Sequence, residues 1–326
     1  MASVSCITCQ MKNVVFQVVD EPYCLWEEDL KAYTLAFLTG FDIAYFDHLL
    51  EIHLNADDEA RSAMALRVAY HHAMETLFSF LGALLQAPSA PQAWIAKCQN
   101  MQLYELVRRI TDNDRELTTG LSIQSVSWDE LTRVTLNWYR SGTERQAESI
   151  NLFAGFWRRL ASEFLDKNRL DEYNSLKHGF RVTGGGFGLS VGLEHEYGVP
   201  PPEDELQSIG HSEFGSSFRR FHAASGQRGE RSLISEQVSV NWKIEKVAPL
   251  LQLTSISIPN VIGALRILNG EPCNSIKFTR PDSDDAFIQP WMQVPPCNNL
   301  VLLIQQDREI PFLSKKDLLA RLEASS

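Results

Sequence analysis

The chain has 326 residues, 44% hydrophobic and 22% charged, which is enough to bury a substantial core in one large or two modest domains. Its formal net charge of -11 excludes a general polyanion binder, because long-range repulsion opposes the approach of phosphate. A local basic patch remains open. Acids crowd the stretch from Asp20 to Glu59, where Lys31 is the single Lys or Arg. Basic residues gather at Arg158, Arg159, Lys167, Arg169, Lys177 and Arg181, and again at Arg219, Arg220, Arg228 and Arg231. Either this is ordinary solvated surface, or the middle and later segments build one basic surface.

The start of the chain lacks the basic and apolar regions of a signal peptide. The apolar stretches are interrupted by charge or Pro before the roughly 20 residues a span requires, so no membrane association is expected. Cys6, Cys9, Cys24, Cys98, Cys273 and Cys297 are mostly scattered, as expected of reduced thiols in a cytoplasmic protein. Cys6 and Cys9 form a lone C-x-x-C without a second pair, so no metal or cofactor is expected.

In chain order, residues 3–8 and the β-branched run Val14-Val15-Phe16-Gln17-Val18-Val19 read as strands. Apolar residues at helical spacing follow from Leu25 to Leu54, with Gly40 as a weak point. The stretch from Asp57 to Gln86 is the clearest helix: Asn55 or Asp57 caps it, Asp58 and Glu59 suit its positive end, and Pro88 stops it. Leu66, Ala69, Ala73, Leu77, Leu81 and Leu84 form its stripe. From Leu77 to Leu85 it is apolar nearly all round, so this end belongs in a core. Short helices are expected over 94–97 and 103–110, a polar loop over 112–127, and helices over 128–139 and 145–164.

The helix after Asn168 carries Tyr173, Leu176 and Phe180 on one face. A second stripe of Asn174, Lys177, His178 and Arg181 gathers an amide, an ammonium, an imidazole and a guanidinium, a set suited to binding anions. Gly184-Gly185-Gly186 follows. A phosphate loop would precede a helix, whereas these glycines follow one, so a chain turn is expected, with a backbone nest near Lys177 and Arg181 as the alternative. Beyond it, strands are expected over 187–193, 218–223, 232–240, 275–279 and 299–305, with an exposed loop over 194–213. A helix over 244–268 is expected to kink at Pro259, and a last helix is opened by Ser314 and Asp317 as a capping box. The fold class is therefore mostly α: a helical bundle over residues 25–181, and an α+β C-terminal portion over 182–326 that the strand at 14–19 joins.

Hydrolase motifs are absent, and adjacent His71 and His72 point about 100° apart on a helix, too far to share one metal. Glu75, one turn after His71, lies just before the all-apolar end. Either it pairs with His71 or a neighbouring base, or Glu75 and His71 serve as the acid–base component of a site.

The segment Tyr173-Asn174-Ser175-Leu176-Lys177-His178-Gly179, preceded by a helical bundle, resembles the HEPN-like helical domains of prokaryotic defence and RNA-processing systems, in a divergent branch. The resemblance covers about residues 25–181. It implies a protein that binds RNA or a nucleotide through Asn174, Lys177 and Arg181, with or without metal-independent nuclease activity. Nuclease members carry Arg, four to six residues, then His. Arg169 stands too far from His178 for that pattern, whereas Arg67 and His72 keep it with Val68 in place of the usual polar residue. In the nuclease version His178 or His72 is the acid–base group, and Lys177 or Arg67 stabilises the charged phosphorane. The other expectation is a non-catalytic interaction or scaffold protein that forms a homodimer through its bundle.

Overall fold

The computed structural model describes residues 12–303 and 310–325, so the expected strand at 3–8 and the C-x-x-C lie outside the described residues. The chain is mostly α, 51% helix and 16% strand, with the larger sheet toward the C-terminus. It divides into two compact units, each drawn from three stretches. The first comprises 1–56, 69–166 and 248–290; the second comprises 57–68, 167–247 and 291–326. A single cut after residue 181 is not where the contacts divide. The two longest helices, over Glu59–Gln86 and Ile244–Leu268, each contribute to both units, so the units do not follow one another along the chain.

In the first unit, strands β1 (Lys12–Val18) and β2 (Glu21–Glu27) form an antiparallel hairpin with Val14 opposite Leu25. The expectation that the first strand joins the C-terminal sheet is thus corrected. The connection Val19-Asp20 is short enough to close locally, and Val19 takes the positive φ of 59° that such a turn needs. Gln86 then fixes the hairpin. Its side chain accepts from the Val19 N–H at 2.8 Å and donates to the Val19 carbonyl at 2.9 Å, while Trp94 Nε1 donates to it at 3.2 Å. All these groups are buried and satisfied, which is what makes the polar contact tolerable there.

Helices α1 (Leu30–Gly40) and α2 (Tyr45–Leu54) follow, broken where Gly40 was expected to weaken the pattern. Helix α3 (Glu59–Gln86) buries its expected stripe, with Leu77 and Leu84 fully excluded from solvent. Helices α4 (Pro91–Lys97) and α5 (Asn100–Thr111) come next, and Gly82 of α3 makes room for both: a methyl there would collide with the Trp94 ring and the Leu106 side chain. Helix α6 (Trp128–Thr135) is capped by Ser127, and α7 (Glu144–Phe164) by Thr143. The Phe153, Ala154, Trp157, Leu160 and Ala161 stripe of α7 is buried.

Helix α8 (Lys167–Lys177) belongs to the second unit, and α9 (Ile244–Leu268) gives most of its length to the first. Within that unit Trp157 Nε1 donates to Ser257 Oγ at 3.1 Å, tying α7 to α9. Both Pro249 and Pro259 lie inside α9. The Thr254, Ser255 and Ser257 hydroxyls fold back onto its own carbonyls. By length and composition α9 would be able to cross a membrane, but 78% of its most apolar window is buried in the protein, as in a core helix. The strand expected over 275–279 does not form. After a 3-10 turn over Cys273–Ser275 the chain runs extended, and Thr279 pairs with the side chain of Asn260 instead of another strand, at 2.7 and 2.9 Å.

In the second unit, β3 (Thr183–Gly184), β6 (Gly215–Ala223), β7 (Leu233–Asn241) and β8 (Asn299–Leu303) form an antiparallel sheet in the order β3-β6-β7-β8. Strands β4 (Gly188–Val191) and β5 (Gln207–His211) make a separate hairpin, so part of the expected loop over 194–213 is strand. A short helix α10 (Gln289–Met292) precedes β8. Helix α11 (Lys315–Ala324) starts on the expected capping box, with the Ser314 and Asp317 side chains each taking the other's backbone N–H.

Candidate functional site

Helix α8 rests on β6 and β7 through its Glu172 face. Glu172 is fully buried and Arg67 is 1% exposed. Arg67 Nη2 and Nε donate to one carboxylate oxygen at 2.5 and 3.2 Å, Ser216 Oγ of β6 donates to the other at 2.7 Å, and the guanidinium lies 5.8 Å from the Trp242 ring centroid. A buried charge is tolerable only when paired and hydrogen-bonded in this way. Arg67 therefore holds the α3 N-terminal segment, α8 and β6 together within the second unit. Its charge is committed to Glu172 rather than presented to a phosphate. A second ion pair lies beside it: Arg220 of β6 reaches Asp171 at 2.9 Å and, through Nε, Glu236 of β7 at 2.8 Å. The Arg220 guanidinium holds the Glu236 carboxyl below the usual range.

The expected stripe of Asn174, Lys177, His178 and Arg181 is corrected in one respect. The helix ends at Lys177, so these four residues do not continue along one helical face. Gly179 at φ +90° and Phe180 at φ +50° turn the chain, and the Arg181 N–H returns to the Ser175 carbonyl at 2.7 Å. Asn174 is half-buried, whereas Lys177, His178 and Arg181 are exposed, and the Lys177 ammonium lies 5.3 Å from the Tyr173 ring centroid. The turn also leaves Phe180 61% exposed, although it was expected on the apolar face.

The glycine run turns the chain at Gly185, as expected, while Gly184 ends β3. Gly185 takes φ +117°, and a methyl at Gly186 would collide with the Ser212 carbonyl. The nest alternative fails, because the Gly185 and Gly186 N–H groups already donate to the Gly215 and Glu213 carbonyls, each at 3.0 Å. Immediately before them, Thr183 pairs with Ser217 of β6. That pairing sets the Lys177–Arg181 turn next to a strand whose alternate residues Arg219 and Phe221 are both exposed, Phe221 at 57%. The opposite face of β6 carries buried Phe218 and the ion-paired Arg220. Arg219 stood in the later basic group of the sequence. Phe221 carried no signal, since an aromatic residue in a strand is ordinarily core.

The remaining expected residues lie in the first unit. His71 is buried beside Tyr70, with ring centroids 6.0 Å apart. His72 is exposed and lays its ring against Phe46 at 5.3 Å and Tyr45 at 6.3 Å. Glu75 is half-buried and close enough to Cys98 to help push that thiol up to about 12, burial being the larger cause. Tyr70, also in this unit, donates to buried Glu163 at 2.8 Å. Arg67 and His72 keep their five-residue spacing on α3, but one side chain is buried in an ion pair and the other meets aromatic rings of α2 edge to face. No family model matches the chain, and no curated protein or solved structure is found to be similar to it.

Proposed function

We propose that the protein binds single-stranded RNA on the exposed face of its second unit and does so without cleaving it. The observation that carries this reading is the pairing of β3 with β6. It leads the chain from the exposed Lys177, His178, Phe180 and Arg181 at the end of α8 to the strand that carries the exposed Arg219 and Phe221 on the sheet face away from α8, so a single strand would run over the edge of the sheet. Cations interleaved with solvent-facing aromatic rings suit a single strand, whose phosphates seek charge and whose bases seek a flat apolar surface. The fields of these groups act locally against a chain of net charge -11, so binding is expected to be modest and strongly salt-dependent. The burial of Arg67 against Glu172 argues against the nuclease pair Arg67/His72.

Fluorescence anisotropy with a labelled single-stranded RNA tests this. With Lys177, Arg181 and Arg219 each meeting one phosphate, the slope of log affinity against log salt is about -2, a loss of roughly twenty-fold between 50 and 200 mM salt. Replacing Lys177 and Arg181 together with Ala should flatten the slope, and Phe221→Ala should weaken binding at every salt concentration. Salt-independent binding, or wild-type binding by the double variant, would sink the proposal.

A second reading, self-association of a non-catalytic scaffold, is favoured by β8. Among the described residues this strand has a neighbour on one side only, and Val301, Leu302 and Leu303 are 42%, 51% and 67% exposed. An apolar sheet edge of this kind pairs readily with another chain. Light scattering of Leu303→Lys against wild type distinguishes it: an unchanged mass removes this reading.

A further inference from the structure

A separate cleft lies wholly within the first unit, where the connection after α6 meets the extended segment after the 3-10 turn at 273–275. It is an open cleft of about 620 Å³, within the range of sites for small ligands. Its exposed lining is mainly polar: Arg140, Arg145, Lys277 and Arg280 bring positive charge, and parts of the Trp138, Tyr139 and Phe278 rings stand among them. Nowhere in the sequence are these residues a motif, because 137 positions separate Arg140 from Lys277.

Both walls are held by specific bonds. On one side the Gln146 amide donates to the Leu136 and Asn137 carbonyls at 2.9 and 3.0 Å and accepts from the Gly142 N–H at 2.8 Å. That grip keeps Arg140 at φ +45°, a conformation uncommon for a residue with a side chain, with its guanidinium 5.8 Å from the Tyr139 ring centroid. On the other side Asn260 fixes Thr279, and Gly263 of α9 lets the chain approach so closely that a methyl there would sit 2.7 Å from Ile276. Arg280, whose side chain is 5% exposed, donates to Ser149 Oγ at 3.0 Å and pairs with Asp284. Arg145 shares Asp284 at 3.4 Å and pairs with Glu148 at 3.0 Å. These two guanidiniums are therefore largely neutralised and serve as structure. Arg140 and Lys277 differ: both are exposed, and neither makes an ion pair among the described residues. Asp282 is the one carboxylate in the lining.

The geometry points to a binding site for a nucleoside phosphate. Arg140 and Lys277 take the phosphate, the Trp138, Tyr139 and Phe278 surface takes the base, and Asp282 accepts from the ribose hydroxyls. Each part of the lining matches one part of that ligand: cations for a dianion, aromatic faces for a base, and a carboxylate that accepts but cannot donate. The cleft is of small-ligand size and belongs to a different unit from the RNA surface, so the two sites stand or fall separately.

Titration calorimetry of the full chain with AMP, GMP, CMP and UMP tests it, with inorganic phosphate and adenosine as controls. At least one mononucleotide should bind saturably, and phosphate or adenosine alone about tenfold more weakly or worse. Lys277→Ala and Arg140→Gly should each weaken the nucleotide about tenfold. Arg140→Gly also separates binding from folding, because glycine suits φ +45° and the melting temperature should hold or rise while affinity falls. The variant with Ala at both Lys177 and Arg181 should bind the mononucleotide as the wild type does. The proposal is overturned by the absence of saturable binding for all four mononucleotides up to about 1 mM. Wild-type affinity in both cleft variants, or phosphate binding as tightly as the nucleotide, overturns it equally.

Discussion

Replacing Glu172 with Ala should be among the most destabilising single changes in the second unit. The carboxylate is fully buried and carries two donors from Arg67 and one from Ser216. Its removal takes from a guanidinium that is 1% exposed the carboxylate that accepts two of its hydrogen bonds, and takes from the Ser216 hydroxyl its acceptor. Breaking a buried pair from one side costs about 3–5 kcal/mol, because the remaining charge keeps its desolvation penalty. For a cooperative unit of this size, each kcal/mol lowers the melting temperature by roughly 2–4 °C, so a fall of about 6–20 °C is expected. Ser216→Ala, which removes one hydrogen bond to a charge, should cost about 1.5–3 kcal/mol. The combined change Arg67→Met with Glu172→Leu removes both charges and should recover most of the loss. Circular dichroism during urea and thermal unfolding reads all three. If Glu172→Ala unfolds within about 1 kcal/mol of wild type, or if the double replacement is as damaging as the single one, the pair does not hold these elements and the reasoning is refuted.

Other consequences are equally open to test. The Glu236 carboxyl has its pKa lowered in the folded state by the hydrogen bond from Arg220, so its contribution is full above the unfolded carboxylate value, about 4.3, and is lost as pH falls through the folded one. Unfolding midpoints measured from pH 7 down to pH 2 should therefore drop less steeply in Arg220→Ala than in wild type; identical slopes would show that the pair is not coupled to folding. The Cys98 thiol, raised to about 12, should resist maleimide at neutral pH while exposed Cys24 and Cys273 are labelled, and Glu75→Gln should speed its reaction. Mass spectrometry of labelled peptides decides this, and equal labelling of the three would contradict it. Gly82→Ala should destabilise the first unit by about 1–3 kcal/mol, because α4 and α5 must shift away from the added methyl. An unchanged melting temperature would mean that the Trp94 ring does not approach α3 as closely as described.

The helices of this chain were legible because their signals are local. The apolar stripe from Leu66 to Leu84, the stop at Pro88, and the reciprocal cap of Ser314 and Asp317 each act within a few turns, and each formed where the pattern placed it. Strand partners were less legible, since a strand states its period but not its neighbour. The run at Val14–Val19 paired with the next segment in sequence rather than with the distant sheet, and the extended chain at 275–279 found an asparagine side chain instead of a strand. At the proposed sites the division is sharper. Lys177, His178 and Arg181 stood out as a cluster because they are neighbours in sequence, yet the positive φ of Gly179 and Phe180 rearranged them and put an aromatic ring into solvent. Arg67 matched a catalytic spacing, but Glu172, 105 positions away, claimed its charge in the interior. The sequence by itself determined the long helices α3, α7 and α9 and the apolar stripes that α3 and α7 bury, because periodicity and capping are properties of short stretches. Only the tertiary structure decided which cations are spent on buried acids and which remain on the surface. That outcome depends on partners contributed by distant segments and on the high cost of leaving a charge unpaired inside a protein.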